Sequence, residues 1–213
     1  MYRKFILIPI LFLFVLSGCS PQLIKKASPD TSIASLNENI LIFGRINWFE
    51  NGEEKKRSIT FKTLRAEDMK QGTIKVEKDG SYFVLLPKGT YVVHQLNWRD
   101  PWDGMHWLVP KLAFQVADGY QAYYLGTLVV DIKAKRDIIG GLWLKGTTVA
   151  LKDEENEAME AFRNRYPGQE INVAKALMVH DRSIPGIEEL ENKRLFLDVL
   201  RSLYFGVMPM LAP

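Results

Sequence analysis

Apolar and polar residues alternate along much of the chain between residues 40 and 152, and this alternation predicts β-strands. In Ser58–Leu64, for example, polar residues separate Ile59 and Phe61, which is the two-residue period of a strand with one buried face. The predicted strands are Ile40–Phe49, Ser58–Leu64, Thr73–Val76, Tyr82–Leu86, Tyr91–Val93, Leu112–Val116, Ala122–Ile132 and Leu142–Leu151. Turn signals are present at Asn51-Gly52, Lys78-Asp79-Gly80, Asp118-Gly119 and Lys145-Gly146. Short strands at this spacing predict an antiparallel β-sandwich over residues 40–152.

After the last predicted strand the period changes and predicts α-helices. Asp153–Tyr166 begins with acidic residues and ends with basic ones, which suits the helix dipole. Ile187–Leu203 carries apolar residues at helical spacing, whereas Val173–Val179 between the two segments is ambiguous. We therefore expect residues 153–213 to form a C-terminal helical segment packed on the sandwich. The apolar tail Tyr204–Pro213 is expected to pack on the domain too, with a partner-binding tail as the alternative.

Residues 1–18 have the plan of a secretory signal peptide. Arg3 and Lys4 precede the uninterrupted apolar run Phe5–Leu16, and small residues follow it. The run is too short to cross a bilayer as a permanent helix. Residues 19–39 contain several Ser, Pro and Lys residues without a sustained period, so we expect a flexible tether there.

The end of the apolar segment, Leu16-Ser17-Gly18-Cys19, resembles the lipobox of bacterial lipoproteins. The resemblance implies acylation of the Cys19 thiol with chains such as palmitate, cleavage just before Cys19, and anchorage in a membrane. Two or three acyl chains anchor a protein firmly in a membrane, whereas a single chain gives only marginal membrane binding. Cys19 is the only cysteine, so an internal disulfide is excluded. Ser20 in place of Asp favours the outer membrane, on its periplasmic or surface face, with the inner membrane as the alternative.

The segment Asp79–Val93, DGSYFVLLPKGTYVV, combines an Asp-Gly turn, an aromatic strand, Leu-Pro-x-Gly and a second strand. It resembles the hairpin of prealbumin-like β-sandwiches of the carboxypeptidase-regulatory type. The resemblance implies a mainly β, prealbumin-like (Ig-like) sandwich, with Tyr82–Leu86 and Tyr91–Val93 paired as antiparallel strands. Pro87–Gly89 would be their turn, with positive φ at Gly89. This module is grafted onto unrelated proteins, so it predicts no function.

Four features together resemble a group of bacterial lipoproteins to which we attach no activity. They are the lipobox, the early Gly-Arg-x-x-Trp strand, the Leu-Pro-x-Gly segment and the late Phe-Arg-x-Arg-Tyr-Pro-Gly helix end. Charge adds little to this picture. The chain has 28 basic and 25 acidic residues, and two of the basic ones lie in the signal peptide, so the remainder is nearly neutral. No basic stripe indicates a nucleic-acid partner.

Sequence patterns of catalysis are missing. The chain has no Gly-x-Ser-x-Gly, no His-Glu-x-x-His and no calcium-loop motif. His94 and His106, with Asp100 or Asp103 as a third ligand, are the one alternative for a metal site. We interpret the acidic residues of Asp153–Glu160 as the solvated first turns of a helix. We therefore expect no catalytic residues, no metal, no cofactor and no enzymatic activity, with an envelope hydrolase or metalloenzyme as the less expected alternative.

Trp98–Trp107 is the most unusual stretch, because it holds three of the five tryptophans beside charged residues. Asp100-Pro101 and Asp103-Gly104 predict a loop. The candidate binding residues are Trp98, Arg99, Asp100, Trp102, Asp103, His106 and Trp107. Either the loop is a recognition surface, or its indoles are buried at the open end of the sandwich.

Taken together, these patterns predict a lipid-anchored cell-envelope protein whose β-sandwich is a non-catalytic binding or assembly module. Its partners would be the membrane, through lipid on Cys19, and an envelope protein or glycan. The alternative is a glycan-binding lipoprotein that uses the Trp98–Trp107 loop.

Overall fold

The structure is a computed structural model that describes residues 22–33, 36, 38–137 and 141–181. The predicted signal peptide, the lipobox with Cys19, the helix Ile187–Leu203 and the tail Tyr204–Pro213 lie outside the described residues. No helix within the described ranges is long and apolar enough to cross a membrane.

The described part of the chain contains thirteen strands and one helix. The strands are β1 (Gln22–Leu23), β2 (Asn39–Glu50), β3 (Glu53–Glu54), β4 (Ile59–Arg65), β5 (Gln71–Lys75), β6 (Ser81–Pro87), β7 (Gly89–Asp100), β8 (Gly104–Leu108), β9 (Leu112–Val116), β10 (Ala122–Arg136), β11 (Leu142–Lys152), β12 (Val173–Lys175) and β13 (Val179–His180). The helix is α1 (Glu155–Arg165). All eight predicted strands are present, and the helix predicted at Asp153–Tyr166 is confirmed.

The strands form two sheets. The first has the order β1-β5-β4-β7-β9-β13, with β8 paired to the second half of β7. The second has the order β11-β10-β2-β3, with β6 paired to β2 and β12 paired to β10. Both sheets are mixed, because β10 runs parallel to β2 and β12, and β1 runs parallel to β5. The prediction of a purely antiparallel sandwich is therefore wrong in these pairings.

One hydrophobic core lies between the two sheets. Ile42, Ile46 and Trp48 of β2 share it with Phe61 of β4 and Leu96 of β7, all of which are buried. Burying this apolar surface drives the sheets together, so the fold is mainly β and sandwich-like. Helix α1 lies outside this core, on the outer face of the second sheet, where Phe162 packs against Phe43 with ring centroids 4.8 Å apart.

The predicted hairpin of β6 and β7 is wrong. Strand β6 pairs with β2 in the second sheet, whereas β7 pairs with β4, β9 and β8 in the first. The turn at Pro87–Gly89 therefore carries the chain from one sheet to the other. A tight-turn signal is the same for a hairpin and for such a crossing, so the local sequence does not separate them. The positive φ predicted at Gly89 is confirmed, at +148°.

The predicted tether is also wrong from Gln22 onward. Residues 22–33 lie on the domain: the Ile24 N–H donates to the Thr73 carbonyl at 3.0 Å, and the Ala27 N–H donates to the Phe83 carbonyl at 2.9 Å. Ala27 and Ile33 are buried in the cluster beside α1. Scattered apolar residues in a polar segment were enough to dock it, because each fills a gap between elements that are already formed.

Two smaller predictions are corrected. Lys145-Gly146 is not a turn but an irregularity inside β11, where Lys145 has no partner on β10 and the register shifts between Lys133 and Ala134. The ambiguous Val173–Val179 forms β12 and begins β13. Strand β11 lies at an edge of the second sheet and is mostly exposed.

Candidate functional site

The tryptophan-rich stretch is a β-hairpin. Strand β7 ends at Asp100, residues 101–103 form the turn, and β8 returns along β7. Trp98 lies opposite His106, and Arg99 lies opposite Met105. The loop prediction is therefore right only for the turn itself.

Trp98 belongs to the core. Its side chain is 0% exposed, and its ring lies 4.9 Å from that of Trp48 and 5.3 Å from that of His106, which it stacks on. The prediction that Trp98 is a binding residue is wrong, because no ligand can reach it. A bulge in the β4–β7 pairing explains why: Tyr91 and Val93 face the core before it, and Leu96 and Trp98 face the core after it.

A buried carboxylate closes the sandwich beneath the hairpin turn. The Asp100 side chain is 0% exposed and accepts hydrogen bonds from the N–H groups of Trp102 and Asp103 at 2.9 and 3.1 Å. Arg136, at the end of β10, donates to both of its oxygens at 3.1 and 2.5 Å. The Arg136 guanidinium holds the pKa of Asp100 far below its ordinary value, and the two N–H groups act in the same direction against desolvation.

A second ion pair continues from Asp100 into the domain. Arg57 lies 3.4 Å from Asp100 through Nη2 and forks onto Glu50, with Nε–Oε1 at 2.6 Å and Nη2–Oε2 at 2.7 Å. The Trp48 indole also donates to Glu50, at 3.3 Å. Burial opposes ionisation of Glu50, but the Arg57 guanidinium outweighs it, so the pKa of Glu50 is lowered. These four charges tie β2, β7 and β10 together at one end of the sandwich.

Asp103 links the hairpin turn to β11. Its Oδ2 accepts the Leu142 N–H at 3.1 Å and lies 3.1 Å from His106 Nε2. Asp103 and His106 therefore contact each other and the neighbouring strand rather than facing outward as a pair. Asp100, which the sequence also suggested as a binding residue, is inaccessible, and that prediction is wrong.

Two indoles project from this end. Trp102 in the turn is 81% exposed and Trp143 at the start of β11 is 67% exposed. Trp102 precedes Asp103 in the sequence, and Trp143 follows Leu142. The hydrogen bond from the Leu142 N–H to Asp103 therefore holds the two tryptophans at the same end of the sandwich. The Trp143 indole N–H donates to Asp137 Oδ2 at 3.2 Å, so its edge is fixed while its faces stay open. We call the surface formed by Trp102, Asp103, Lys135, Arg136 and Trp143 the tip surface.

The remaining predicted residues lie on another face. Trp107 is 46% exposed and pairs with Asn97, and Arg99 pairs with Met105. These side chains alternate with the buried Trp98, so they point from the outer face of the first sheet. The structure therefore brings Trp102 and Asp103 to the tip surface and places Arg99 and Trp107 beside it.

The metal alternative finds no support in the geometry. His94 lies four residues before Trp98 along β7, about 13 Å at strand spacing, whereas His106 lies beside Trp98. No group of three potential ligands among His, Cys, Asp and Glu converges in the described ranges.

Trp143, Lys135 and Arg136 were missed by sequence reasoning. Trp143 lies at the start of the predicted strand Leu142–Leu151, whereas Lys135 and Arg136 lie beyond the predicted end of Ala122–Ile132, because β10 continues to Arg136. Nothing local signals that these ends meet the hairpin turn. One signal in the sequence could have indicated Trp143. In Leu142–Leu151 this tryptophan is followed by Leu, Lys and Gly, a composition that is typical of a solvent-exposed strand.

No family model matches the chain, and no curated protein matches it. Among solved structures it is similar to catechol 1,2-dioxygenase from an Acinetobacter species, with 12% identity, 76% of this chain and 59% of that chain covered, and a TM-score of 0.25. It is also similar to catechol 1,2-dioxygenase from Acinetobacter radioresistens, with 10% identity, 78% of this chain and 59% of that chain covered, and a TM-score of 0.23. For 3-chlorocatechol 1,2-dioxygenase from Rhodococcus opacus the identity is 6%, the coverage is 74% of this chain and 64% of that chain, and the TM-score is 0.22. The chain spans about six tenths of the length of these solved chains.

The expectation that the chain is not an enzyme is corrected by this comparison, because the solved proteins to which it is similar are enzymes by name. Likeness at these TM-scores carries no argument about an activity, a substrate or a cofactor of this chain.

Proposed function

We propose that this chain is a lipid-anchored protein of the bacterial cell envelope, and that its sandwich binds an envelope partner through the tip surface. The lipid part rests on Leu16–Cys19 and on the apolar run before it. The binding part rests on the exposed indoles of Trp102 and Trp143. The fold that we propose is a prealbumin-like sandwich, with the segment 187–203 as a helix packed on it.

One observation carries the binding part: the tip surface exposes two indoles to solvent, while the structure beneath it is fixed by buried ion pairs. Asp100, Arg57 and Glu50 are held by hydrogen bonds and by one another, so the hairpin turn is rigid. An indole held on a rigid support brings a large apolar area to an interface at little cost in conformational entropy. Neither Trp102 nor Trp143 contributes its indole to the core.

The lipid anchor is tested by Cys19→Ser. Wild-type protein should take up a clickable fatty acid and migrate as the processed form, whereas the variant should do neither. Equal labelling of the two proteins would refute the anchor and leave the binding proposal untouched.

The binding part is tested by capture from detergent-solubilised envelopes with immobilised wild type, Trp102→Ala and Trp143→Ala. Tyr120→Ala is the matched control, since Tyr120 is also an exposed aromatic but lies just before β10, away from the tip surface. We expect both tryptophan variants to lose the same captured component and the control to keep it, with melting temperatures close to wild type. Capture that is unchanged in both variants would refute the tip surface as the binding site.

A further inference from the structure

The outer face of the second sheet adjoins the tip surface and carries exposed cations. Lys135 lies directly opposite Trp143 in the β10–β11 pairing, and Lys133 lies opposite Gly146. Partners in such a pair share a face of the sheet, so Lys135 lies beside the exposed indole and Lys133 lies further along the same face, beside Gly146. Neither lysine forms an ion pair among the described residues.

The carboxylates of this region accept hydrogen bonds from backbone and side-chain N–H groups. Asp137 accepts the Gly141 N–H at 2.6 Å and the Trp143 indole N–H at 3.2 Å. Asp103 accepts the Leu142 N–H and contacts His106, and Asp131 accepts the Gly52 N–H at 3.3 Å. Their lone pairs are directed at N–H groups, whereas the Lys133 and Lys135 side chains are exposed to solvent. Lys133 and Lys135 therefore offer a ligand at Trp143 ammonium groups that are not paired with a carboxylate of the described residues.

The surface between Trp143 and Lys133 is open. Gly146 has no side chain, and a Cβ atom there would meet nothing within 4 Å. No side chain at Gly146 obstructs a ring that lies flat on the indole and extends along β11. The apolar C–H face of a pyranose fits an indole face, because its polarised C–H groups meet the negative π-surface.

The tip surface lies far from the point where the chain would enter the membrane. Gln22 pairs with Gly72, which pairs with Thr63, which pairs with Val93 of β7. Val93 is seven residues before Asp100, about 23 Å at strand spacing. Cys19 is three residues before Gln22, so its Cα lies within about 11 Å of Gln22. A domain that stands on this anchor presents the tip surface away from its own membrane.

We propose that the tip surface binds an anionic polysaccharide, with a sugar ring stacked on Trp143 and carboxylate or phosphate groups of the polymer paired with Lys135 and Lys133. This inference rests on the proposed binding function and names its ligand class. A neutral glycan would leave the lysines unused, and a lipid headgroup would have to come from a membrane that the anchor places at the other end of the domain.

The test is affinity electrophoresis of the full chain carrying Cys19→Ser, with its folding checked by circular dichroism. The gels contain carboxymethyl-cellulose or hydroxyethyl-cellulose, which share a backbone and differ in charge, and purified peptidoglycan sacculi are used in a sedimentation assay. We expect retardation by carboxymethyl-cellulose but not by hydroxyethyl-cellulose, co-sedimentation with sacculi, and weakening of both by salt.

The variants locate the site. Trp143→Ala should weaken binding about tenfold and Lys135→Gln about threefold. Lys25→Gln removes another exposed lysine, near β1, and should change nothing, as should Tyr120→Ala.

Three results would overturn the proposal. These are equal retardation by both celluloses, binding to phosphatidylglycerol vesicles in place of the glycans, and no binding to any anionic glycan. If the last result is found while capture from envelopes still depends on Trp102 and Trp143, the ligand class is wrong and the proposed function stands. If capture does not depend on them, both are wrong.

Discussion

Replacing Asp100 by Asn removes the charge at the centre of the buried ion-pair network while keeping the size of the side chain. Asp100 is fully buried, whereas the side chain of its partner Arg136 is 37% exposed. Breaking a fully buried pair costs about 3–5 kcal/mol, and the exposure of Arg136 lowers that value by solvent screening. We therefore expect Asp100→Asn to lower the free energy of unfolding by about 2–4 kcal/mol at pH 7.

The pH dependence gives an independent check. The pKa of Asp100 is lowered in the folded protein, so its contribution is fully present above the unfolded value of about 3.9 and is lost as the pH falls towards the folded value. The difference between wild type and Asp100→Asn should therefore be constant from pH 7 to about pH 5 and shrink below about pH 4. Urea unfolding followed by tryptophan fluorescence measures both quantities.

Asp68→Asn is the matched control for this experiment. Asp68 pairs with Arg65 through a similar fork, but both side chains are partly exposed, at 28% and 20%. A pair of this kind contributes about 1 kcal/mol or less. If Asp100→Asn costs no more than Asp68→Asn, or if its effect is unchanged down to pH 3, the network does not stabilise this end of the sandwich and the argument is refuted.

Two more substitutions test the placement of side chains. Trp98→Ala should lower the free energy of unfolding by about 3–5 kcal/mol, while Trp102→Ala should change it by less than about 1 kcal/mol; thermal denaturation that shows similar losses would contradict the assigned faces. Gly89→Ala should cost about 1–3 kcal/mol, because φ is +148° and a Cβ would lie 2.7 Å from Glu67 Oε2. Gly104→Ala, at φ +86° with nothing within 4 Å, should cost less, and equal shifts of the urea midpoint would contradict the proposed crowding.

The strands could be predicted because the alternation that defines them is local. Ser58–Leu64 shows its buried face within a few residues. Their partners could not be predicted, because pairing depends on residues far away in the sequence. Tyr82–Leu86 illustrates the difference: its apolar run predicts a strand, but burial on both faces leaves the choice of sheet open.

The site was predicted only in part for the same reason. The turn residues around Trp102 predicted a loop but left open whether its indole is exposed or buried, and the structure places it in solvent. Tyr91 and Val93 face the core, so the two-residue period of a strand would place Trp98 on the opposite, outer face. The bulge at His94 shifts this alternation by one residue and turns Trp98 into the core. The burial of Asp100 could not be predicted, because its counter-ions Arg57 and Arg136 lie 43 and 36 residues away.

The parallel pairing of β2 with β10 has a consequence for the order of folding. Leu41 pairs with Ala122, about 80 residues later, whereas β2 with β6 and β4 with β7 join segments closer in sequence. Closing a long loop costs entropy before any contact repays it. We therefore expect β10 to join late, so that β2 exposes an unpaired apolar edge in the meantime. We expect a nascent chain in this state to be prone to aggregation until residue 136 has emerged.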